Sequence, residues 1–348
     1  MGADSDVLVI GAGLAGVAAA VAAQDAGLDV RVIDRGRRPG GRMASRQLRE
    51  TGTDCDGRIV DHGASYFTVR DADFTEVVNS LIDRGIVRPW TDTFHVYSEG
   101  AMSGVRTGPM RYAAPGGLRT VVEALAEDVT HIECDRHIDR VEIAAHAVSV
   151  EDQSASSLAL CMPQPQAERI VPPGVLPDVG ITWEPVIAVT MVFEQQEWID
   201  IDGVFVNDDP IITWIADDGS RRGDAAPVLV AHVNPVFAAG HLDDPSGVLP
   251  QTIATVRRVL DIDPLPLWTW AHRWSLAKPI AALDEDCWLH PELPVGLAGD
   301  AWAGGPRVEA AWLSGRALGR ARAVRLCAAA CGNLPGRGCA RARRRPVG

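Results

Sequence analysis

A chain of 348 residues is long enough for one large two-part fold or for two domains of ordinary size. Hydrophobic residues at 47% and charged residues at 23% suit a soluble globular protein, and no window approaches the roughly twenty apolar residues that a membrane-spanning helix needs. The net charge of −13 understates the acidity of the body, because residues 316–348 hold nine Arg and no acid; a surface this acidic repels phosphate backbones and argues against nucleic acid as a partner.

The acidic start, Met1 to Asp6, has neither the basic n-region nor the cleavage site of a secretory signal, so a soluble, cytoplasmic protein is expected. The seven Cys are scattered without a C-x-x-C pair and read as reduced thiols. The nine His form no H-x-x-x-H or H-E-x-x-H pair, so no metal site is expected.

In chain order, Val7 to Ile10 is a short apolar run, the pattern of a strand buried on both faces. Gly11 to Gly16 follow, then an Ala-rich helix over 17–26 closed by Gly27, and a second strand over 28–33 that ends at Asp34. Residues 39–42 form a turn-rich loop and 59–69 an extended segment. A helix over 73–85 shows Phe74, Val77, Val78 and Leu81 on one face. Further expectations are a helix over 118–126, a loose hairpin over 132–150 and a Pro/Gln-rich loop over 163–168. The β-rich stretch that follows offers strands at 187–193, 211–215, 228–233 and 267–274, with a helix over 249–260. A short strand at 294–298 and a helix over 308–327 complete the fold, and the basic tail is expected to be disordered.

Gly11-Ala12-Gly13-Leu14-Ala15-Gly16 fits G-x-G-x-x-G between a strand and a helix. Gly11 makes the tight turn, Gly13 lets a pyrophosphate approach the backbone, and Gly16 permits close helix–strand packing. The pyrophosphate then meets free N–H groups at a helix N-terminus. Asp34 stands where it can accept hydrogen bonds from a ribose, and its charge disfavours a 2′-phosphate there.

Beyond this unit stand Gly40-Gly41-Arg42-Met43-Ala44, Asp61-His62-Gly63-Ala64-Ser65-Tyr66-Phe67-Thr68, Ala271-His272-Arg273-Trp274, Gly299-Asp300-Ala301-Trp302 and Pro306 to Gly315. In that order, from residue 7 to about 315, the chain resembles the renalase-like branch of the flavin amine oxidase superfamily, with the weakest match over 75–180. The resemblance implies an α/β protein with a discontinuous Rossmann-type FAD-binding domain (1–70, 113–165 and 288–330). Inserted into it is a β-sheet-rich substrate domain (71–112 and 166–287), and residues 331–348 form the tail. It implies non-covalent FAD, since no Cys stands beside Gly299-Asp300. The FAD contacts it implies are Gly11, Gly13, Leu14, Ala15, Gly16, Asp34, Arg35, Gly41, Arg42, Met43, His62, Gly63, Ala64, Gly299, Asp300, Arg307, Val308 and Glu309. The helix from Val308 would point its N-terminus at the flavin.

The activity that the resemblance implies is hydride transfer from an isomeric dihydro-NAD(P) to FAD, with molecular oxygen as the second substrate and hydrogen peroxide as product. His62, Tyr66, Trp214, His232 and Trp274 are the candidates for the substrate pocket, an aromatic wall that suits a flat heterocycle. Lys278, the one lysine, reads as a surface residue at a strand end. Two departures fall in the substrate half: Val236 to His241 replaces the Trp-Ser pair usual after the counterpart of His232, and Ser275 to Lys278 is less aromatic than relatives. A flavin amine oxidase or desaturase acting on another small molecule is the alternative. A protein that kept only the Rossmann unit would purify colourless. Oligomeric state is not legible.

Overall fold

The computed structural model describes residues 3–332; of the tail expected over 331–348, Cys331 and Gly332 continue the final helix and the rest lies outside the described residues. In chain order the first half contains β1 (Ser5–Ile10), α1 (Leu14–Asp25), β2 (Val30–Ile33), β3 (Ser45–Gln47), β4 (Ile59–Asp61), β5 (Phe67–Thr68), α2 (Ala72–Asp83), β6 (Arg88–Ser98) and β7 (Ala101–Ala113). Next come α3 (Arg119–Ala126), β8 (Ile132–Glu133), β9 (Glu142–Ile143), β10 (Val148–Val150), β11 (Gln153–Leu160) and α4 (Gln164–Ala167). The remainder is β12 (Trp183–Val192), β13 (Gly203–Val206), β14 (Ile212–Asp217), α5 (Asp218–Arg222), β15 (Val228–Val233), α6 (Pro235–Ala239), α7 (Leu249–Leu260), β16 (Trp268–Pro279), β17 (Trp288–Leu289), β18 (Val295–Leu297) and α8 (Val308–Gly332).

The strands form two eight-stranded sheets and a two-stranded ribbon, β3 with β4. In the first sheet the order is β17-β18-β11-β1-β2-β8, and β1 runs parallel to both β2 and β11. The chain leaves β1 toward β2 and later returns on the other side as β11. That reversal opens a crevice beyond the carboxyl end of β1, where Gly11 follows. Val7 and Val9 face one core while Leu8 and Ile10 face another, which is why Val7 to Ile10 of β1 is an unbroken apolar run.

Helix α8 returns from the far end of the chain to lie against α1, and glycine sets the approach. A Cβ on Gly315 would stand 2.0 Å from the Ala15 carbonyl oxygen, and one on Gly319 would stand 2.3 Å from that of Ala19. Helix α2 buries Phe74, Val78 and Leu81 in the same core. The Asp71 side chain caps it by accepting from Phe74 N–H.

The second sheet has the order β16-β12-β15-β14-β13-β6-β7-β5. One face buries Ile187, Val189, Met191, Leu229 and Ala231 with Val256 and Val259 of α7. The other face is aromatic and polar, and register aligns it: Phe205 opposes Trp214, Trp214 opposes His232, and Ala188 stands between His232 and His272. Side-chain alternation makes this row one surface.

Most expected elements are present within a residue or three of their expected ends. The segment expected to be extended over 59–69 is two short strands, β4 and β5, with an irregular loop between them. The hairpin expected over 132–150 is confined to β9 and β10, because β8 pairs parallel with β2 instead. The Pro/Gln-rich loop contains the one-turn helix α4. The long β6–β7 hairpin is not legible in the sequence: β7 exposes most of its residues and is rich in Ser, Thr, Gly and Arg, so it lacks apolar alternation.

The loop between β4 and β5 is tied to the second sheet by buried charge. Asp218 and Arg221 are wholly buried and ion-paired, and the Arg58 and Arg222 guanidinium groups also reach the Asp218 carboxylate. Arg221 donates to the carbonyls of Ser65 at 3.0 Å and Asp61 at 3.2 Å. Arg222 stands 3.1 Å from the Asp61 carboxylate, whose other oxygen accepts from Ser45 Oγ and Leu118 N–H. Burial acts to raise the Asp218 pKa, but Arg221, Arg222 and Arg58 outweigh it and hold the carboxyl well below the usual range. Removing one partner of such a cluster leaves buried charge uncompensated. Arg221→Met is therefore expected to lower unfolding stability by about 3–5 kcal/mol in a urea titration. A loss below about 1 kcal/mol would show that the cluster is not what joins the loop to the sheet.

Candidate active site

The first part of the site is the crevice after β1. Gly11 has a φ of +108°, and a Cβ there would lie 2.5 Å from the Cys161 carbonyl oxygen. Only glycine fits both conditions. A Cβ on Gly16 would lie 1.7 Å from the Gly11 carbonyl oxygen, so the turn and the first helical residues are packed backbone to backbone. Helix α1 starts at Leu14 with Gly13 as its cap, no side chain caps it, and no acid stands in its first turn. Its first N–H groups and its positive dipole end therefore face the crevice.

Asp34 closes the other side. Its carboxylate accepts from Ala12 N–H at 2.5 Å and Gly36 N–H at 2.6 Å, which orients it and leaves lone pairs for further donors. The turn at Gly40-Gly41 crosses the start of α1, with Gly40 N–H donating to the Ala12 carbonyl at 2.9 Å. Gly41, with a φ of +53°, would place a Cβ 3.1 Å from Gly13 Cα. The bare backbone, uncapped helix end and oriented carboxylate fit the pyrophosphate and ribose of a dinucleotide.

Arg42 joins this crevice to distant segments. Its guanidinium makes a bidentate pair with Asp300, at 2.6 and 2.9 Å, and also donates to the Ala277 carbonyl at 3.0 Å. It lies 5.2 Å from the ring centre of Trp183. Its own carbonyl accepts from Ala64 N–H at 2.9 Å, and a Cβ on Gly63 would come within 2.0 Å of that oxygen. Residues 41–43, 62–64 and 299–300 therefore converge.

The other residues expected here lie as follows. Leu14, Ala15 and Met43 are buried in the first core, and Arg35 is exposed. Gly299 donates its N–H to Ser314 Oγ, and a Cβ there would meet nothing within 4 Å. Arg307 and Val308 are half-buried at the start of α8, and Arg307 Nε has no hydrogen-bond partner among the described residues. Glu309 is buried, with one carboxylate oxygen accepting from the N–H groups of Arg70 at 2.6 Å and Asp71 at 2.8 Å.

The second part of the site is the aromatic face of the second sheet, against which the loop between β4 and β5 lies. His62 sits among Trp270, His272 and Trp274, with ring centres 5.2, 4.3 and 5.5 Å away, and is nearly parallel to Trp274. The Trp274 indole N–H donates to the His62 carbonyl at 2.7 Å. Ser65 Oγ is 3.5 Å from His232 Nε2. Tyr66 packs near Trp214 and Phe94. All five expected pocket residues thus lie along one loop and one sheet face. His62 Nδ1, Trp214 Nε1 and Thr190 Oγ1 are buried without partners among the described residues.

Lys278 is exposed and 3.9 Å from Glu184, at the surface as expected. His241 bonds through Nδ1 to the Phe237 carbonyl in α6, away from the aromatic face. Sequence reasoning missed Trp270, Trp183, Arg46 and Arg111, and it read His272 only as part of a motif. A signal for two of these was present: Trp268-x-Trp270-x-His272-x-Trp274 alternates, so in a strand all four side chains face one way. Arg46, 4.0 Å over the Trp270 ring, carried no local signal.

Burial sets the protonation of this face. It pushes His62 down to about 3, assisted by His272, Arg119 and Arg46. It pushes His232 down to about 4, assisted by Arg221, and His272 down to about 4, assisted by Arg46 and Arg273. Pushed this far below 7, all three imidazoles are uncharged at neutral pH.

Residues 9–82 match the family of NAD(P)-binding Rossmann-like domains. The whole two-sheet arrangement is the fold seen in several solved structures whose names describe oxidases. A putative protoporphyrinogen oxidase from Exiguobacterium sp. 255-15 superposes with a TM-score of 0.71 at 15% identity, covering 93% of this chain and 100% of that one. Cyclohexylamine oxidase from Brevibacterium oxydans IH-35A gives 0.70 at 16% identity, covering 93% and 99%. Putrescine oxidase bound to putrescine gives 0.66 at 15% identity, also covering 93% and 99%. At such identities the likeness defines a shared α/β fold, a Rossmann-like domain joined to a second sheet.

Unfolding exposes the three histidines, whose pKa values then return toward 6.5, so between about pH 4 and 6.5 the unfolded chain binds more protons than the folded one. Their contribution is complete above pH 7 and is lost as pH falls through that window. The thermal midpoint is expected to drop steadily from pH 7 to pH 5 and to be flat from pH 7 to pH 8. A His62→Gln, His272→Gln double variant should show a shallower slope; an unchanged slope would place the titration elsewhere.

Proposed function

We propose that this chain is an FAD-dependent oxidase of the flavin amine oxidase superfamily, close to its renalase-like branch. Its donor is a small heterocycle, an isomeric dihydro-NAD(P), and molecular oxygen is its second substrate. The observation that carries the reading is the convergence of the dinucleotide crevice, the Arg42–Asp300 pair and an aromatic sheet face on the single loop 62–66. The solved structures of the same fold include proteins named as oxidases, which supports the same class.

Gly11, Gly13, Gly16, Asp34 and Gly41 would hold the adenosine and pyrophosphate end of FAD, with Arg42, Asp300 and the α8 start farther along. No Cys adjoins Gly299-Asp300, so the cofactor is held without a covalent bond. Bound FAD supplies a two-electron acceptor that oxygen restores, with hydrogen peroxide as product. The protein's own work is positioning. Trp214, Trp274 and Tyr66 offer flat apolar surface to a planar ring, and the neutral histidines offer hydrogen bonds without charge. A dihydropyridine loses only hydride as it becomes aromatic, so it needs no general base. Burial of the loop against the sheet also excludes water from the donor.

Anaerobic stopped-flow absorbance decides the donor. Fast flavin bleaching by 2- or 6-dihydronicotinamide dinucleotides, and not by amines, is expected. Bleaching by putrescine, cyclohexylamine or another amine alone would move the protein to the alternative, an amine oxidase. Asp34→Ala removes charge-assisted bonds to a ribose worth about 1.5–3 kcal/mol, so FAD affinity should fall roughly ten- to hundredfold. The flavin-to-protein absorbance ratio after gel filtration reads this out, and a folded, fully yellow variant would contradict the assignment.

A further inference from the structure

The aromatic face carries a buried cation whose hydrogen-bonding capacity is only partly used. Arg111 of β7 is 6% exposed, and its Nη1 has no hydrogen-bond partner among the described residues. Its guanidinium lies 4.1 Å from the ring centre of Phe94 and 5.8 Å from that of Tyr66. Phe94 in turn stands 4.6 Å from Trp214, whose indole N–H is also buried and unpartnered. The Tyr66 hydroxyl accepts a hydrogen bond from Arg111, but ring faces accept none, so Nη1 is left without what water would provide. Burial raises the pKa of the Tyr66 hydroxyl against the charge of Arg111 and the hydrogen bond from it, so the hydroxyl stays protonated and its own O–H is a third donor at this end of the wall. Three donors, one of them a cation, are gathered where no carboxylate among the described residues pairs with the arginine.

The other end repeats the sign. Arg46 lies 4.0 Å over Trp270, and burial and Arg49 both press its pKa down with no carboxylate opposing. An alkylammonium laid along this face would meet like charge at both ends, whereas an oxygen acceptor would complete the unmatched donors.

We propose that Arg111, with Trp214 and Tyr66 beside it, receives a carboxylate or carboxamide oxygen on the ring of the donor. The site thereby selects oxygen-bearing, electron-rich heterocycles and rejects alkylamines. This rests on the reading of the aromatic face as the substrate wall and extends it from shape to charge.

Equilibrium binding to the FAD-loaded, full-length protein tests it, read as quenching of tryptophan fluorescence by three non-reacting probes: nicotinate, 3-methylpyridine and benzylamine. The wild type is expected to bind nicotinate at least about tenfold more tightly than either other probe, since losing a hydrogen-bonded charge partner costs at least that much. Arg111→Met should lose that preference and keep its affinity for 3-methylpyridine, while Arg111→Lys should retain most of it. If the Met variant fails to accumulate, Arg111→Gln takes its place with the same expectation. Equal affinity of wild type and variant for nicotinate overturns the proposal, and so does a wild type that prefers benzylamine. Failure of the functional reading looks different: nicotinate preference dependent on Arg111 in a protein that no dihydronicotinamide reduces would leave the anion site standing and discard the donor. Reduction by dihydronicotinamides with nicotinate binding indifferent to Arg111 would do the reverse.

Discussion

Asp218 is a carboxylate with no exposed surface, ringed by the guanidinium groups of Arg58, Arg221 and Arg222. Through those arginines it holds the carbonyls of Asp61 and Ser65, the Asp61 carboxylate and the turn at Ala114-Pro115. The residues that face the aromatic wall from the side of the crevice after β1 lie on the short stretch between Asp61 and Phe67. That loop has little regular structure of its own, so its position depends on these bonds. A buried cluster of this kind adds little net stability over apolar packing, but it admits few alternative arrangements, since each alternative leaves a charge unmatched. In this fold it determines where the loop sits between the two sheets.

The two halves of the site are built by different physics. The crevice after β1 is backbone: glycines where a Cβ would overlap a carbonyl, a bare helix N-terminus and one oriented carboxylate. Such a cradle suits a ligand whose recognition is by phosphate and ribose. The facing wall is side chain: a row of aromatic and imidazole rings set by strand register across β13, β14, β15, β12 and β16. Neutral imidazoles, unpartnered donors and two arginines over aromatic rings give that wall hydrogen-bonding capacity with a positive bias. Arg42, paired with Asp300 and bonded to Ala277, bridges the two halves and couples cradle to wall.

The crevice is legible in the amino-acid sequence because its determinants are local. Gly11, Gly13, Gly16 and Asp34 act within one strand–turn–helix–strand unit, and the tightest glycine contacts there are with near neighbours in the chain or coincide with a left-handed φ. Helix α7 is equally plain, because its apolar stripe and Leu249–Leu260 boundaries follow from periodicity. The β6–β7 hairpin is not, since its outer strand is largely exposed to solvent and carries no pattern.

What the chain's own order determined was the dinucleotide unit, most helices and strands, and an aromatic, histidine-bearing set of candidates for the wall. Only the tertiary structure decided which of those rings meet, that Trp270 and Arg46 join them, and that Asp218 with three arginines holds the loop. The physical reason is sequence separation. Backbone conformation and amphipathic period are written in residues a few positions apart. Charge matching in a low-dielectric interior pairs Arg58 with Asp218 and Arg42 with Asp300, and no local pattern announces which of many arginines will be buried.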